Sequence, residues 1–154
     1  MNPRIRRLQN DFDQVSRAFA SNPRISIIAT EGTPAEKYTV EFKVLGLVPR
    51  GEEGFEQAGV HRAEIFLSID YPRRPPFCRM ISPTFHPNID PQKICIGDHW
   101  NAGQSLAQLI VRIAEMISFQ SYNNKSPLNA RAAAWAEQNI GMLPLERTDL
   151  GAGV

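Results

Sequence analysis

Everything else in this 154-residue chain is arranged around residues 71–100, YPRRPPFCRMISPTFHPNIDPQKICIGDHW. The stretch holds both cysteines, two of the three histidines and six of the twelve prolines, so stiff backbone and reactive side chains are concentrated together. Cys95 has the chemistry of a nucleophile: a thiol is the best one available near neutral pH, and Gly97 removes bulk where a large acyl donor would approach. The competing reading is a small buried hydrophobe at a strand end, because free cysteine is among the most buried residue types. Asn88 carries a neutral amide that can donate to a developing oxyanion, and as an Asn after Pro it can equally bond nearby backbone. Cys78, on an expected strand before Arg79 and Met80, reads as packing.

Outward toward the N-terminus, residues 61–70 place Ala63, Ile65, Leu67 and Ile69 on one face, and 38–44 alternate Tyr38, Val40, Phe42 and Val44 with polar residues. With 25–30 and 77–81 these make four strands, joined by connections short enough for antiparallel pairing. The Gly- and Glu-rich PRGEEGFEQAG between the second and third strands reads as a loop, and His61 at a strand start as a surface residue. The first element is a helix: Asn2 and Pro3 form an N-cap and first-turn pair, and Ile5, Leu8, Phe12, Val15 and Phe19 recur at spacings of three and four. Arg4, Arg6, Arg7 and Arg17 lie on its other side as a solvated face.

Outward toward the C-terminus, Ser105 and Gln108 form a capping-box pattern before Leu106, Leu109, Ile110, Ile113 and Ile117, one buried face of a long helix across the sheet. Ser126 and Pro127 start a last helix through Ala132, Ala133, Trp135 and Ala136, stopped by Gly141. The expected architecture is α+β: helix, four-stranded antiparallel sheet, long central helix, C-terminal helix. Residues 1–141 form one domain and 142–154 a mobile tail. Seventeen basic against sixteen acidic residues leave no global field for nucleic acid or an anionic membrane. Two cysteines outside any Cys-x-x-Cys pair fit a reducing, cytoplasmic setting, and the chain lacks an apolar run of signal-peptide or membrane-spanning length.

The ordered set YPRRPP, FHPNI, KICIGD, a Trp, an amphipathic helix and SPLNARAAA resembles the ubiquitin-conjugating (E2) enzyme family over nearly the whole chain, to about Asn139. The resemblance implies the E2 fold and a transferase. Cys95 would accept a ubiquitin-like modifier from an activating enzyme (E1) as a thioester and pass it to an amine, usually a lysine of a protein acceptor, with no metal or redox cofactor. It implies a catalytic part for Asn88, a structural one for His86 within its loop, and E1 docking on the first helix through Arg6 and Arg7.

Several residues depart from that pattern. Arg73 stands where many members carry an apolar residue that helps bind a RING-type ligase, which speaks against conventional RING-ligase binding. Gly97 replaces an Asp, leaving Asp98 as a substitute. Lys125 and Ser126 occupy the place of an acidic residue that orients the incoming lysine, leaving Asp98, Tyr122, Asn123 or Asn124 to position the acceptor. These departures resemble the divergent E2-like proteins of prokaryotic conjugation operons, some implicated in antiviral defence. Three rivals stand beside this reading. One is a Cys-His-Asn hydrolase using Cys95 with His86 or His99 and Asn88, which would lack a helix N-terminus directly behind its thiol. Another is a zinc site from Cys78, His86, Cys95 and His99, whose spacing lacks paired short intervals. The third is a non-catalytic E2-like binding module, against which the presence of Cys95 argues.

Overall fold

A computed structural model describes residues 2–96 and 100–154 of the chain. Helix α1 (Pro3–Phe19) begins where the Asn2 side chain accepts from the Ile5 N–H at 2.8 Å, the cap expected of an Asn-Pro start. Strands β1 (Ile25–Glu31), β2 (Lys37–Phe42), β5 (His61–Phe66) and β6 (Phe77–Met80) form one antiparallel sheet in the order β1-β2-β5-β6. Period-two alternation sends Tyr38, Val40 and Phe42 of β2 and Ala63 and Ile65 of β5 to the same buried face. Helix α2 (Leu106–Ile117) lies on that face. Its capping box is complete, with Gln108 N–H donating to Ser105 Oγ at 3.0 Å and Ser105 N–H to Gln108 Oε1 at 3.2 Å. Leu106, Leu109, Ile110, Ile113 and Ile117 are all buried there.

The expected loop at 49–59 is instead part of a hairpin, β3 (Gly46–Arg50) with β4 (Gly54–Ala58). Most of its side chains face water, so it has no alternating apolar signal to read. Its anchors are Leu47 and Phe55, and Phe55 stacks on Phe85 with centroids 4.6 Å apart. His61 is not on the surface. It is fully buried, its Nε2 3.0 Å from the Ala58 carbonyl, and it shares the inward parity of Ala63 and Ile65. Gly46 is what lets it in, since a Cβ there would sit 2.6 Å from an Ile117 methyl and 2.8 Å from His61 Nε2.

The arginine face of α1 also differs from expectation. Arg4 donates to the Leu67 and Ser68 carbonyls at 3.3 and 2.9 Å and pairs with Glu36 at 3.2 Å. Arg7 bonds Asp11, which is buried within the same helix and in turn accepts from the Tyr71 hydroxyl at 2.6 Å. At the other end of the chain, α3 (Ala130–Gln138) is capped by the Asn129 side chain, which accepts from the Ala132 N–H at 3.0 Å, so the helix begins three residues after the Ser126-Pro127 start signal. It gives way to a 3₁₀ turn, Ile140–Met142. The segment beyond, expected as a tail, lies against the domain. Leu145 N–H donates to Ser118, Glu146 pairs with Arg24 at 2.9 Å, Gln120 bonds the Glu146 and Thr148 carbonyls, and Leu150 enters the main core.

Candidate active site

Residues 85–95 are held by bonds from four directions. The Asp90 carboxylate accepts from the Gln92 and Lys93 N–H groups at 2.7 and 2.9 Å, closing a tight turn that brings Cys95 back beside Asn88. Cys95 N–H then donates to the Asn88 carbonyl at 2.9 Å, and Ile94 N–H to the Cys78 carbonyl on β6 at 2.8 Å. The Pro87 carbonyl accepts from Leu128 and Asn129, tying the turn to the entry of α3. The Asn88 side chain is bonded on both sides to one residue: its Nδ2 donates to the Asn123 carbonyl at 2.7 Å and its Oδ1 accepts from the Asn123 N–H at 2.9 Å. Asn88 thereby fixes the loop that runs along the far side of Cys95, while one Nδ2 hydrogen is left over for a further acceptor.

His86 is fully buried, its Nδ1 accepting from the Asn88 N–H at 3.0 Å and its ring 4.7 Å from that of Phe119. Burial pushes its pKa down to about 3, with the Met116 backbone a lesser, opposing influence. A neutral ring whose Nδ1 lone pair is already used cannot serve as a base for Cys95, and no hydrogen bond joins the two. The hydrolase reading loses His86 on this geometry. His61 is likewise pushed down, chiefly by burial. Unfolded, both rings protonate near the ordinary 6.5; folded, His86 does so only near 3. Below roughly pH 6.5 the unfolded chain therefore binds more protons, and stability falls with pH by about 1.4 kcal/mol per unit for His86 alone. Urea midpoints at pH 7, 6 and 5 measure this fall, and a His86 ring resonance titrating near 6.5 would overturn it.

The loop facing Cys95 leaves α2 through Phe119, a non-glycine residue at φ 63°. Phe119 N–H bonds Met116 and Gln120 N–H bonds Glu115, a Schellman ending with Phe where glycine is usual. The left-handed backbone costs about 1–2 kcal/mol. Packing offsets it: the buried Phe119 ring meets His86, Tyr122 and Trp135 at 4.7, 5.5 and 5.7 Å.

These elements enclose a groove of about 320 Å³ lined by Asn88, Cys95, Arg112, Met116, Ser121, Tyr122, Asn123, Lys125 and Ser126. Cys95 is exposed, whereas Cys78 is buried, which pushes its thiol pKa up. Of the sequence-derived candidates, Cys95, Asn88 and Ser126 meet at this groove, and His86 supports it from beneath. Asp98 and His99 lie outside the described residues. Tyr122 and Asn123 line the groove, but Asn124 turns away, its Nδ2 donating to the Ala133 carbonyl at 3.2 Å. Arg6 is exposed on α1. Arg7 is committed within the chain, to Asp11, the Tyr71 hydroxyl and the Ala102 and Gln104 carbonyls, with its guanidinium 5.1 Å from the Tyr71 ring centroid. Arg73 and Arg74 point outward and share Asp70, each at 3.5 Å. Sequence reasoning missed Arg112, which belongs to no motif and stands between the buried Val111 and Ile113 of α2. Among the described residues no three His, Cys, Asp or Glu side chains gather as a metal site, and no helix is long and apolar enough to cross a membrane.

The profile of a family described as "Ubiquitin-conjugating enzyme" matches residues 7–142. Similar curated proteins include the NEDD8-conjugating enzyme ubc12 of Schizosaccharomyces pombe, 31% identical over 99 residues that cover 62% of this chain and 55% of that protein. Ubiquitin-conjugating enzyme E2 3 of Arabidopsis thaliana is 27% identical over 141 residues, covering 89% of this chain and 87% of that one. A solved structure described as a novel ubiquitin-conjugating enzyme superposes with a TM-score of 0.64 at 21% identity, over 88% of this chain and 86% of its own, a likeness of fold.

Proposed function

The chain belongs to the ubiquitin-conjugating enzyme family, and from that we propose that it carries a ubiquitin-like modifier as a thioester on Cys95 and transfers it to an amine of a protein acceptor. The observation that carries the reading is the exposed residue Cys95 lining a hydrogen-bonding groove, its backbone pinned beside Asn88 by its own N–H. In the loading step the Cys95 thiolate attacks the carbonyl carbon of the E1-bound thioester, and the E1 sulfur leaves. In the second step an amine nitrogen attacks the Cys95 thioester, the C–N bond forms, the C–S bond breaks, and the amine's proton ends on the departing sulfur or solvent. A thioester is already activated, so the protein's part is to hold the carbonyl, exclude water and receive the amine in its neutral form.

Asn88 serves both halves of that task in this reading. Its bonds to Asn123 hold the groove's far wall, and its remaining Nδ2 hydrogen is available to the carbonyl oxygen as charge develops. Asn88→Ala is expected to leave loading by E1 largely intact and to slow discharge onto free lysine by up to about 100-fold, since small misplacements at a reacting centre cost that much. Single-turnover discharge assays measure both steps, and full rates in both would end the assignment. We assign E1 docking to the face of α1 that carries the exposed Arg6. Arg73 and the Lys125-Ser126 pair support reading the chain as a divergent E2 that does without a conventional RING ligase; that it is of the prokaryotic type and works in the cytoplasm is part of the same proposal.

The test is incubation with ATP and candidate E1 and modifier proteins, read on a non-reducing gel. A new band one modifier heavier that vanishes with thiol reductant is the expected result. Binding without any such band would leave a non-catalytic module.

A further inference from the structure

The described residues lining the Cys95 groove carry two cations, Arg112 and Lys125, and no acid. Neither side chain has an ion pair or hydrogen bond to a described residue. Glu115, one turn along α2 from Arg112, faces the adjoining cleft that Arg112 also borders, not the groove itself. A concave site lined by one sign of charge concentrates ligands of the other sign. An amine acceptor must nevertheless enter here, and as an ammonium ion it would be repelled. Two cations with no acid beside them among the described lining residues relieve that conflict when the acceptor brings anionic groups beside its amine. They also favour the neutral, nucleophilic form of the amine, as a cation next to a reactive lysine does.

Resting on the thioester reading above, we propose that the groove selects acceptor lysines flanked by acidic residues, with Arg112 and Lys125 as the specificity-determining pair. The rest of the lining favours a polypeptide over a lipid headgroup. Asn88, Ser121, Tyr122, Asn123 and Ser126 offer hydrogen bonds, and Met116 alone is wholly apolar, which is no seat for an acyl chain.

Two measurements test the inference. The first needs neither E1 nor modifier: Cys95, the exposed thiol beside a buried Cys78, is titrated with anionic sulfonatoethyl and cationic trimethylammonioethyl methanethiosulfonate. Relative to 2-mercaptoethanol, the anionic reagent is expected to be favoured by about tenfold at low salt, the low end for a focused field. The preference should shrink at 0.5 M salt, where the screening length falls to roughly 4 Å, and vanish in Arg112→Gln/Lys125→Gln. A ratio at or below the reference overturns the inference. The second compares discharge of the Cys95 thioester onto single-lysine peptides flanked by Glu or by Arg. Faster discharge onto the Glu peptide, lost in the double variant, is the expected result. Equal rates, or a variant that slows loading and spares discharge, would give the cations to the modifier and overturn the acceptor assignment. If no thioester forms at all, the conjugating reading falls with it, while the reagent ratio still reports the groove's charge.

Discussion

Cys95→Ser is expected to replace the reductant-labile adduct with one that survives reductant, and Cys95→Ala to give no adduct at all. A hydroxyl at the same place can attack the E1-bound thioester slowly and form an oxyester, which thiols do not exchange; a methyl group can do neither. The loss in Cys95→Ala should therefore be complete within detection. Two structural facts make the result specific. Cys95 is exposed, so its side chain contributes little to the core and the variants should melt with the parent. Cys78, the other thiol, is buried with its sulfur 3.9 Å from the Pro76 carbonyl and its pKa pushed up, so it cannot take over. Intact mass before and after reductant reads the outcome. An adduct of normal yield on Cys95→Ala, or one mapped to Cys78, would remove the mechanism, while unchanged modifier binding alongside a lost adduct would place the loss in the chemistry.

What the sequence made legible follows from how strongly each element is specified locally. Strands β2 and β5 of the main sheet announce themselves because one face is buried and the other wet, so Tyr38, Val40 and Phe42 alternate with Thr39 and Glu41. Helix α2 is readable from its capping box and from a buried stripe that repeats every three or four residues. Hairpin β3–β4 is not, because only Leu47 and Phe55 anchor it and both do so against Phe85 and its neighbours, 30 and more residues away. His61 could have been found: it shares the parity of Ala63 and Ile65, and a polar name outweighed the pattern. Asp11 too lies on the spacing of Leu8 and Val15, but nothing local names its partner, Tyr71, sixty residues on.

The site divides the same way. Cys95, Asn88 and His86 stand within ten residues of one another in a stiff segment, and their meeting is local. The opposite wall comes from α2 and 121–126, and it is placed by the turn at Phe119 and the Asn88–Asn123 bonds. Lys125 and Arg112 are thirteen positions apart with no shared pattern, so that both border one thiol is visible only in three dimensions.

The other large effect concerns Asp11, far from Cys95 in sequence and the centre of a network outside the Cys95 groove. Asp11 is 3% exposed and accepts from Arg7 Nε at 3.0 Å and from the Tyr71 hydroxyl at 2.6 Å. Arg7 in turn donates to the Ala102 and Gln104 carbonyls, and Trp100 closes the arrangement by donating from Nε1 to the Pro72 carbonyl at 2.8 Å. The carboxylate thus anchors the cation that clips the segment leading into α2 onto α1 and the Tyr-Pro turn. Asp11→Ala leaves a guanidinium only 21% exposed without its counter-ion and a buried hydroxyl without its acceptor. Removing one partner of a buried pair costs about 3–5 kcal/mol, and the partial exposure of Arg7 puts the expectation near the lower figure. For a chain of this size that is roughly 6–12 °C in Tm. Tyr71→Phe keeps the ion pair and should cost only about 1 kcal/mol, the net worth of one hydrogen bond. Arg7→Ala/Asp11→Ala should then be less destabilised than the sum of the two single changes, because the stranded charge is gone. Urea unfolding of the parent, Asp11→Ala, Arg7→Ala, their pair and Tyr71→Phe decides it: a loss below 1 kcal/mol in Asp11→Ala, or strict additivity in the pair, would mean that α1 is held by its apolar face alone.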